Sequence, residues 1–99
     1  MSDKVQARNK AILEAAVALA VECGWRRSSR SDVAARAQVA AGSVNNAYGT
    51  MDGLHDAVMV AAVERQLHGV IAEGLAARHE AACAAPQAVK NEALAALAA

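Results

Sequence analysis

The stretch 41–48, Ala-Gly-Ser-Val-Asn-Asn-Ala-Tyr, holds the side chains best suited to reading another molecule. Asn45 and Asn46 each present an amide whose donor and acceptor lie side by side, a pair that matches two neighbouring atoms on the major-groove edge of adenine. Ser43 can donate or accept and so suits several bases. Ala41 and Gly42 are small, which lets a backbone come close to a partner. Around this stretch stand Arg26, Arg27, Ser29, Arg30, Ser31 and Thr50, guanidinium and hydroxyl groups of the kind that bind phosphate oxygens. Tyr48 offers a ring for a core and a hydroxyl for a phosphate. Arg26 and Arg27 read either as a solvated loop or as DNA contacts. Catalysis finds no comparable set: there is no nucleophile beside a base and no phosphate-cradling glycine loop, and Asp52 and Asp56 share a helix face with nothing nearby to complete a metal site. A binding protein with no cofactor and no metal is expected, not an enzyme.

The elements that must position these groups are helical. Apolar residues make up 56% of the chain, much of it alanine, and there is no Phe. Alanine is the best helix former and a poor strand former, and no run alternates β-branched or aromatic residues, so the fold class is all-α. Ile12, Leu13, Ala16, Val17, Leu19, Ala20 and Cys23 recur at three- and four-residue spacing and predict a first helix over about residues 6–23, closed by Gly24. Trp25 then turns an apolar ring into the core. Ser29 and Asp32 form the Ser-x-x-acid signature of a helix start, predicting a second helix over about 30–37 with Val33, Ala34 and Ala37 inward. After a break near Gln38-Val39, a third short helix runs from Ala41 to about Tyr48, with Val44 and Ala47 inward. Leu54, Val58, Ala61, Ala62, Leu67, Val70 and Ile71 keep a helical period, predicting a fourth helix reaching into the seventies with Gly69 and Gly74 as weak points. Pro86 starts a last helix over about 86–97.

Charge is divided along the chain. Residues 1–50 hold seven lysines and arginines against four acids, a net of +3, and residues 51–99 hold three against six, a net of −3. A basic half is suited to a polyanion and an acidic half to another partner. Cys23 and Cys83 lack metal-like spacing and read as small buried hydrophobes in a reducing compartment. His55, His68 and His79 show no paired metal spacing and are expected on the surface. No apolar run approaches the ~20 residues of a membrane span, and the first residues lack the apolar core of a signal peptide, so the cytoplasm is expected.

Two short helices joined by a tight turn, behind a longer supporting helix, are the parts of a helix-turn-helix, whose second helix enters a major groove ~12 Å wide. The segment from Cys23 to Leu54 resembles the N-terminal DNA-binding domain of the TetR family. The resemblance rests on Gly24-Trp25 after the first helix, on Ser29, Asp32, Val33 and Ala34 at the second, on Ala37-Gln38-Val39 at the turn, on Gly42-Ser43-Val44-Asn45 with Tyr48 in the reading helix, and on Leu54 beyond it. Three positions depart from the family pattern: Gln38 stands for the turn glycine, Asn45 for a phosphate-binding tyrosine, and Met51 for a lysine. A glutamine should tolerate a left-handed turn poorly.

The resemblance implies a repressor that binds double-stranded operator DNA as a homodimer, its two reading helices about one DNA turn (~34 Å) or more apart on an inverted repeat. Residues 1–50 form the helix-turn-helix domain and residues 51–99 a helical dimerisation segment, with Leu67, Val70, Ile71, Leu75, Val89, Leu94 and Leu97 as the contact residues. Family members usually carry a larger ligand-binding domain, so no small-molecule inducer is expected here and a short repressor of the plasmid type is implied. Zero net charge and the missing anchors leave a second reading open: a helical interaction module, antirepressor- or antitoxin-like, that uses a degenerate helix-turn-helix as a protein surface.

Overall fold

The apolar stripe of the first segment builds the longest helix, α1 (Asp3–Cys23), in a computed structural model that describes residues 3–98. It is followed by α2 (Arg30–Ala37), α3 (Ala41–Tyr48), α4 (Met51–Arg65), α5 (His68–Ala76), α6 (Glu80–Cys83) and α7 (Gln87–Ala98), and no strand occurs among the described residues. The all-α expectation holds. One buried cluster runs from Ile12, Ala16 and Ala20 on α1, through Trp25, Val33, Val44, Leu54 and Val58, to Ile71, Ala82 and Ala93. So many of its members are alanines that the helices pack closely without large side chains. Gly74 is the tightest crossing: a Cβ there would stand 2.5 Å from the Met59 methyl carbon and 2.9 Å from the Ala82 Cβ, so only glycine lets α5 meet α4 and α6.

The chain turns between helices by one repeated device. At the end of α2 the Gln38 N–H donates to the Ala35 carbonyl and the Val39 N–H to the Ala34 carbonyl. At the end of α4, Gln66 and Leu67 make the same pair of bonds to Val63 and Ala62, and at the end of α5, Arg78 and His79 make it to Leu75 and Gly74. These are Schellman closures, in which the residue after the helix turns left-handed and frees the chain to change direction. Gln38, Gln66 and Arg78 take that conformation with φ of 60°, 55° and 59°. Glycine is the usual occupant, and a side chain there costs about 1 kcal/mol or more. The expectation that Gln38 would resist the left-handed turn is therefore corrected: the two closing bonds and the apolar residue that follows, Val39 packed on the core, outweigh the local strain.

The same device corrects the boundary of the fourth helix. It does not run into the seventies but stops at Arg65, because Gln66 closes it and Leu67 folds back against the core. Gly69 and Gly74, taken as weak points, lie inside α5. The short α6 was not foreseen; it is started by the His79 side chain, whose Nδ1 accepts from the Ala81 N–H at 3.1 Å.

Several side-chain placements also differ from expectation. Cys23 and Cys83 are free and exposed, not buried, because the stripe of α1 passes its core contacts to Trp25 at the turn, leaving Cys23 on the outer face. His79 is only partly at the surface: its ring stands edge-on to Trp25 at 5.4 Å and its Nε2 lies 2.7 Å from Asp56 Oδ1. Burial also lowers the His55 pKa below its ordinary value. Of the residues expected at a dimer contact, Val70 and Ile71 are buried inside the chain's own core, and Leu67, Leu75 and Val89 pack against it. Those five are taken up, wholly or in part, by the core of one chain. Leu94 and Leu97 alone in that set remain well exposed, at 50% and 70%.

Gln66→Gly should relieve the strain at the α4–α5 corner. The gain is expected to be about 0.5–1 kcal/mol, after the greater freedom of glycine in the unfolded chain is subtracted. Thermal unfolding should shift up by about 2–8 °C, and an unchanged or lower Tm would show that the corner is unstrained.

Candidate nucleic-acid interface

The second helix begins with a reciprocal capping box. The Ser29 hydroxyl accepts from the Asp32 N–H at 3.1 Å, and the Asp32 carboxylate accepts from the Ser29 N–H at 2.9 Å. Both bonds satisfy amides that a helix start would otherwise leave open. The Ser29 backbone bond holds the Asp32 carboxyl below its usual range, with the Ser29 hydroxyl adding to the effect. The orientation of α2 is then set from α1 by a two-pronged contact: Arg36 donates to both Glu22 oxygens at 3.0 and 2.6 Å. Arg65 grips Glu14 in the same way at 3.0 and 2.6 Å and so ties α4 to α1. These hydrogen bonds hold both glutamates below the ordinary carboxylate range. Two-pronged pairs fix angle as well as distance, so α1 acts as the rail on which α2 and α4 are set.

Helix α3 lies between them. Its inner side is held by Val44, 2% exposed, with Ala41, Ala47 and Tyr48 packed against the core. The outer side carries Gly42, Asn45 and Asn46, all exposed, with Ser43 half-buried. No atom lies within 4 Å of where a Gly42 Cβ would stand, so this end of the helix has an unobstructed approach. The C-terminal end is fixed by α1: the Tyr48 hydroxyl donates to the Asn9 carbonyl at 3.2 Å, and burial pushes the phenol's pKa up. The next helix is equally constrained. Thr50 accepts from the Gly53 N–H at 3.2 Å, and a Cβ on Gly53 would stand 2.5 Å from the Tyr48 carbonyl oxygen.

The residues expected to touch DNA thus fall into two groups. Arg27, Arg30, Ser31, Gly42, Asn45 and Asn46 are exposed, and neither Arg27 nor Arg30 forms an ion pair among the described residues. Others have their polar groups engaged within the chain. Ser29 and Thr50 cap helices, and Ala41 packs against the core. The Tyr48 hydroxyl donates its hydrogen bond to the Asn9 carbonyl and is not held out for a phosphate. Arg26 turns back, its guanidinium 5.4 Å over the Trp25 ring and 3.5 Å from Asp52. Asn9 and Gly53 position the reading helix, yet sequence reasoning passed over both. Asn9 acts through its backbone carbonyl across 39 residues, and a glycine inside a helix gives no sign of the carbonyl it must clear.

A long helix carrying two short ones, the second presenting unpaired amides to solvent, defines a helix-turn-helix protein of the DNA-binding class. The family model described as bacterial regulatory proteins, tetR family, matches residues 12–58, a span that holds the second half of α1, all of α2 and α3, and the first half of α4. Residues 12–58 are thus a tetR-family DNA-binding domain, and its presence supports a DNA-binding transcription regulator. Comparison with curated proteins and with solved structures found no match. Among the described residues, no helix is long and apolar enough to cross a membrane.

The Asp32 bond gives a pH dependence of definite sign. Its folded pKa lies below its unfolded value, so the stability it contributes is present above the ordinary aspartate range of about 4 and is lost as pH falls through the folded pKa. Asp32→Asn keeps an acceptor for Ser29 but does not titrate. Its thermal stability should therefore fall less steeply than that of the parent between neutral and acid pH. Parallel acid limbs in the two melting series would remove Asp32 from the account.

Proposed function

We propose that the chain is a sequence-specific repressor that binds an inverted-repeat operator as a homodimer in the cytoplasm, with α3 as the reading helix. The observation that carries this reading is the exposed pair Asn45 and Asn46 on a helix whose other side is locked by Val44 and by the Tyr48–Asn9 bond. Asparagine amides on a rigid rod suit direct reading of adenine. Arg27, Arg30 and Ser31 near the start of α2 supply phosphate contacts, with the free amides at that helix end adding to them. The basic first half serves DNA. The second half serves the partner copy through the outer face of α7, where Leu94 and Leu97 lie three residues apart and uncovered while Val89 and Ala93 face inward. Repression follows if the occupied operator overlaps the promoter.

Binding to the DNA upstream of its own gene, measured against competitor DNA, tests the assignment; no sequence preference would overturn it. Asn46→Ala should cost about 1–3 kcal/mol of specific affinity with little change in non-specific binding, whereas Arg27→Ala should weaken all sequences alike and reduce the salt slope by about 1. Equal losses on operator and random DNA for Asn46→Ala would take that residue out of base reading.

The dimer surface is tested by Leu94→Glu combined with Leu97→Glu. Both positions are exposed, so the fold should survive, and sedimentation should show a dimer become a monomer with operator affinity falling in step. A double variant that still sediments as a dimer would place the interface elsewhere.

A further inference from the structure

Between the last turn of α1 and the start of α5 the surface opens into a cleft of about 420 Å³, walled by Ala20, Val21, Leu67 and Val70, with Gly24 at one edge and Glu73 in its lining. Val21 is 60% exposed, an apolar side chain with little of its own chain to cover it. Glu73 is the one carboxylate in this apolar lining. Its Oε2 accepts from the Trp25 backbone N–H at 3.0 Å. Its Oε1 accepts nothing among the described residues and lies toward Gly24, where a Cβ would come within 3.2 Å of it; the absent side chain keeps that oxygen open. Neither cation nearby forms an ion pair with it. Arg27 packs its Cγ and Nε toward Gly24 without reaching ion-pair distance of Glu73, and His68, on the cleft rim, lies 3.0 Å from Glu92.

A carboxylate with one oxygen satisfied and the other open, set among aliphatic side chains, is complementary to a positively charged donor with an apolar body. We infer that this cleft is a binding site for a small organic ammonium ion. The ammonium donates to Glu73 Oε1 and the hydrocarbon part rests against Val21 and Leu67, with Val70 behind them. The volume has room for a cyclic or branched amine. This departs from the expectation that no small molecule acts on the chain, and it stands independently of DNA binding.

Calorimetry is the readout, because Trp25, the sole tryptophan, is tied to the same carboxylate only through its backbone N–H, while its ring meets Arg26, the His55 carbonyl and His79 outside the cleft lining. Cyclohexylammonium titrated into the full chain at neutral pH should give a saturable heat change, in the roughly millimolar range usual for a fragment-sized ligand. Calorimetry should show it binding about tenfold tighter than cyclohexanol, the uncharged match. Glu73→Gln retains an acceptor for the Trp25 N–H and should abolish that tenfold preference. Gly69→Leu places a side chain in the open space beside the cleft, at a helical position where leucine is favoured over glycine, and should abolish binding of both compounds. Equal affinity for amine and alcohol, an unchanged preference in Glu73→Gln, or no saturation by either compound would each overturn the proposal. None of these readings involves DNA, so failure here is distinct from failure of the regulator assignment.

Discussion

The contacts of Trp25 are the constraint on which the rest of the molecule depends. It stands between α1 and the helix-turn-helix and is 7% exposed. Its indole N–H donates to the His55 carbonyl of α4 at 3.0 Å, its backbone N–H to Glu73 of α5, its ring meets His79 at the start of α6, and Arg26 covers the ring at 5.4 Å. One residue thereby joins the segment that carries the reading helix to three later elements. A tryptophan is suited to this because it buries a large apolar area while keeping one donor that must be satisfied, so its position is fixed by packing and by hydrogen bonding together. In a chain with no Phe and an alanine-rich core, no other side chain offers comparable reach.

With that junction held, α3 needs little stability of its own. Eight residues including Gly42, Ser43, Asn45 and Asn46 would not persist as an isolated helix, since helices this short are marginal in water and these residues are weak helix formers. Tertiary contacts hold it: Val44 beneath it, Tyr48 bonded to α1, and the close fit of Gly53 under the Tyr48 carbonyl. A face used for recognition can therefore be chosen for what it binds, because the opposite face secures the helix.

The arginines show how one residue type is divided between architecture and binding. Arg36 and Arg65 are held two-pronged by Glu22 and Glu14 and set helix angles; Arg26 lies over Trp25; Arg27 and Arg30 remain exposed without an ion pair among the described residues. The basic excess of the first half therefore overstates the charge free to meet a phosphate backbone. Of the arginines beside the helix-turn-helix, the two left without an ion pair, Arg27 and Arg30, stand around the start of α2, where the capping box also places a carboxylate, so affinity there depends on geometry more than on net charge.

Local patterns in the sequence were enough for the all-α class, the start of α2 at Ser29, the extent of α3, the inward turn of Trp25, and the family motif from Gly24 to Leu54. These are matters of periodicity, capping and turn chemistry, which act over a few residues and are written in residue order. The corner at Gln66, the short α6, the exposed position of Cys23, the burial of Val70 and Ile71 within one chain, and the internal use of Tyr48 and Arg26 were not legible. Each depends on a partner far along the chain, such as Asn9 for Tyr48 or Asp52 for Arg26, or on a core contact that repays a left-handed glutamine. Spacing alone carries no record of such contacts; only the folded chain brings those groups within a few ångströms and decides which side chains are consumed in holding the structure and which stay free to bind.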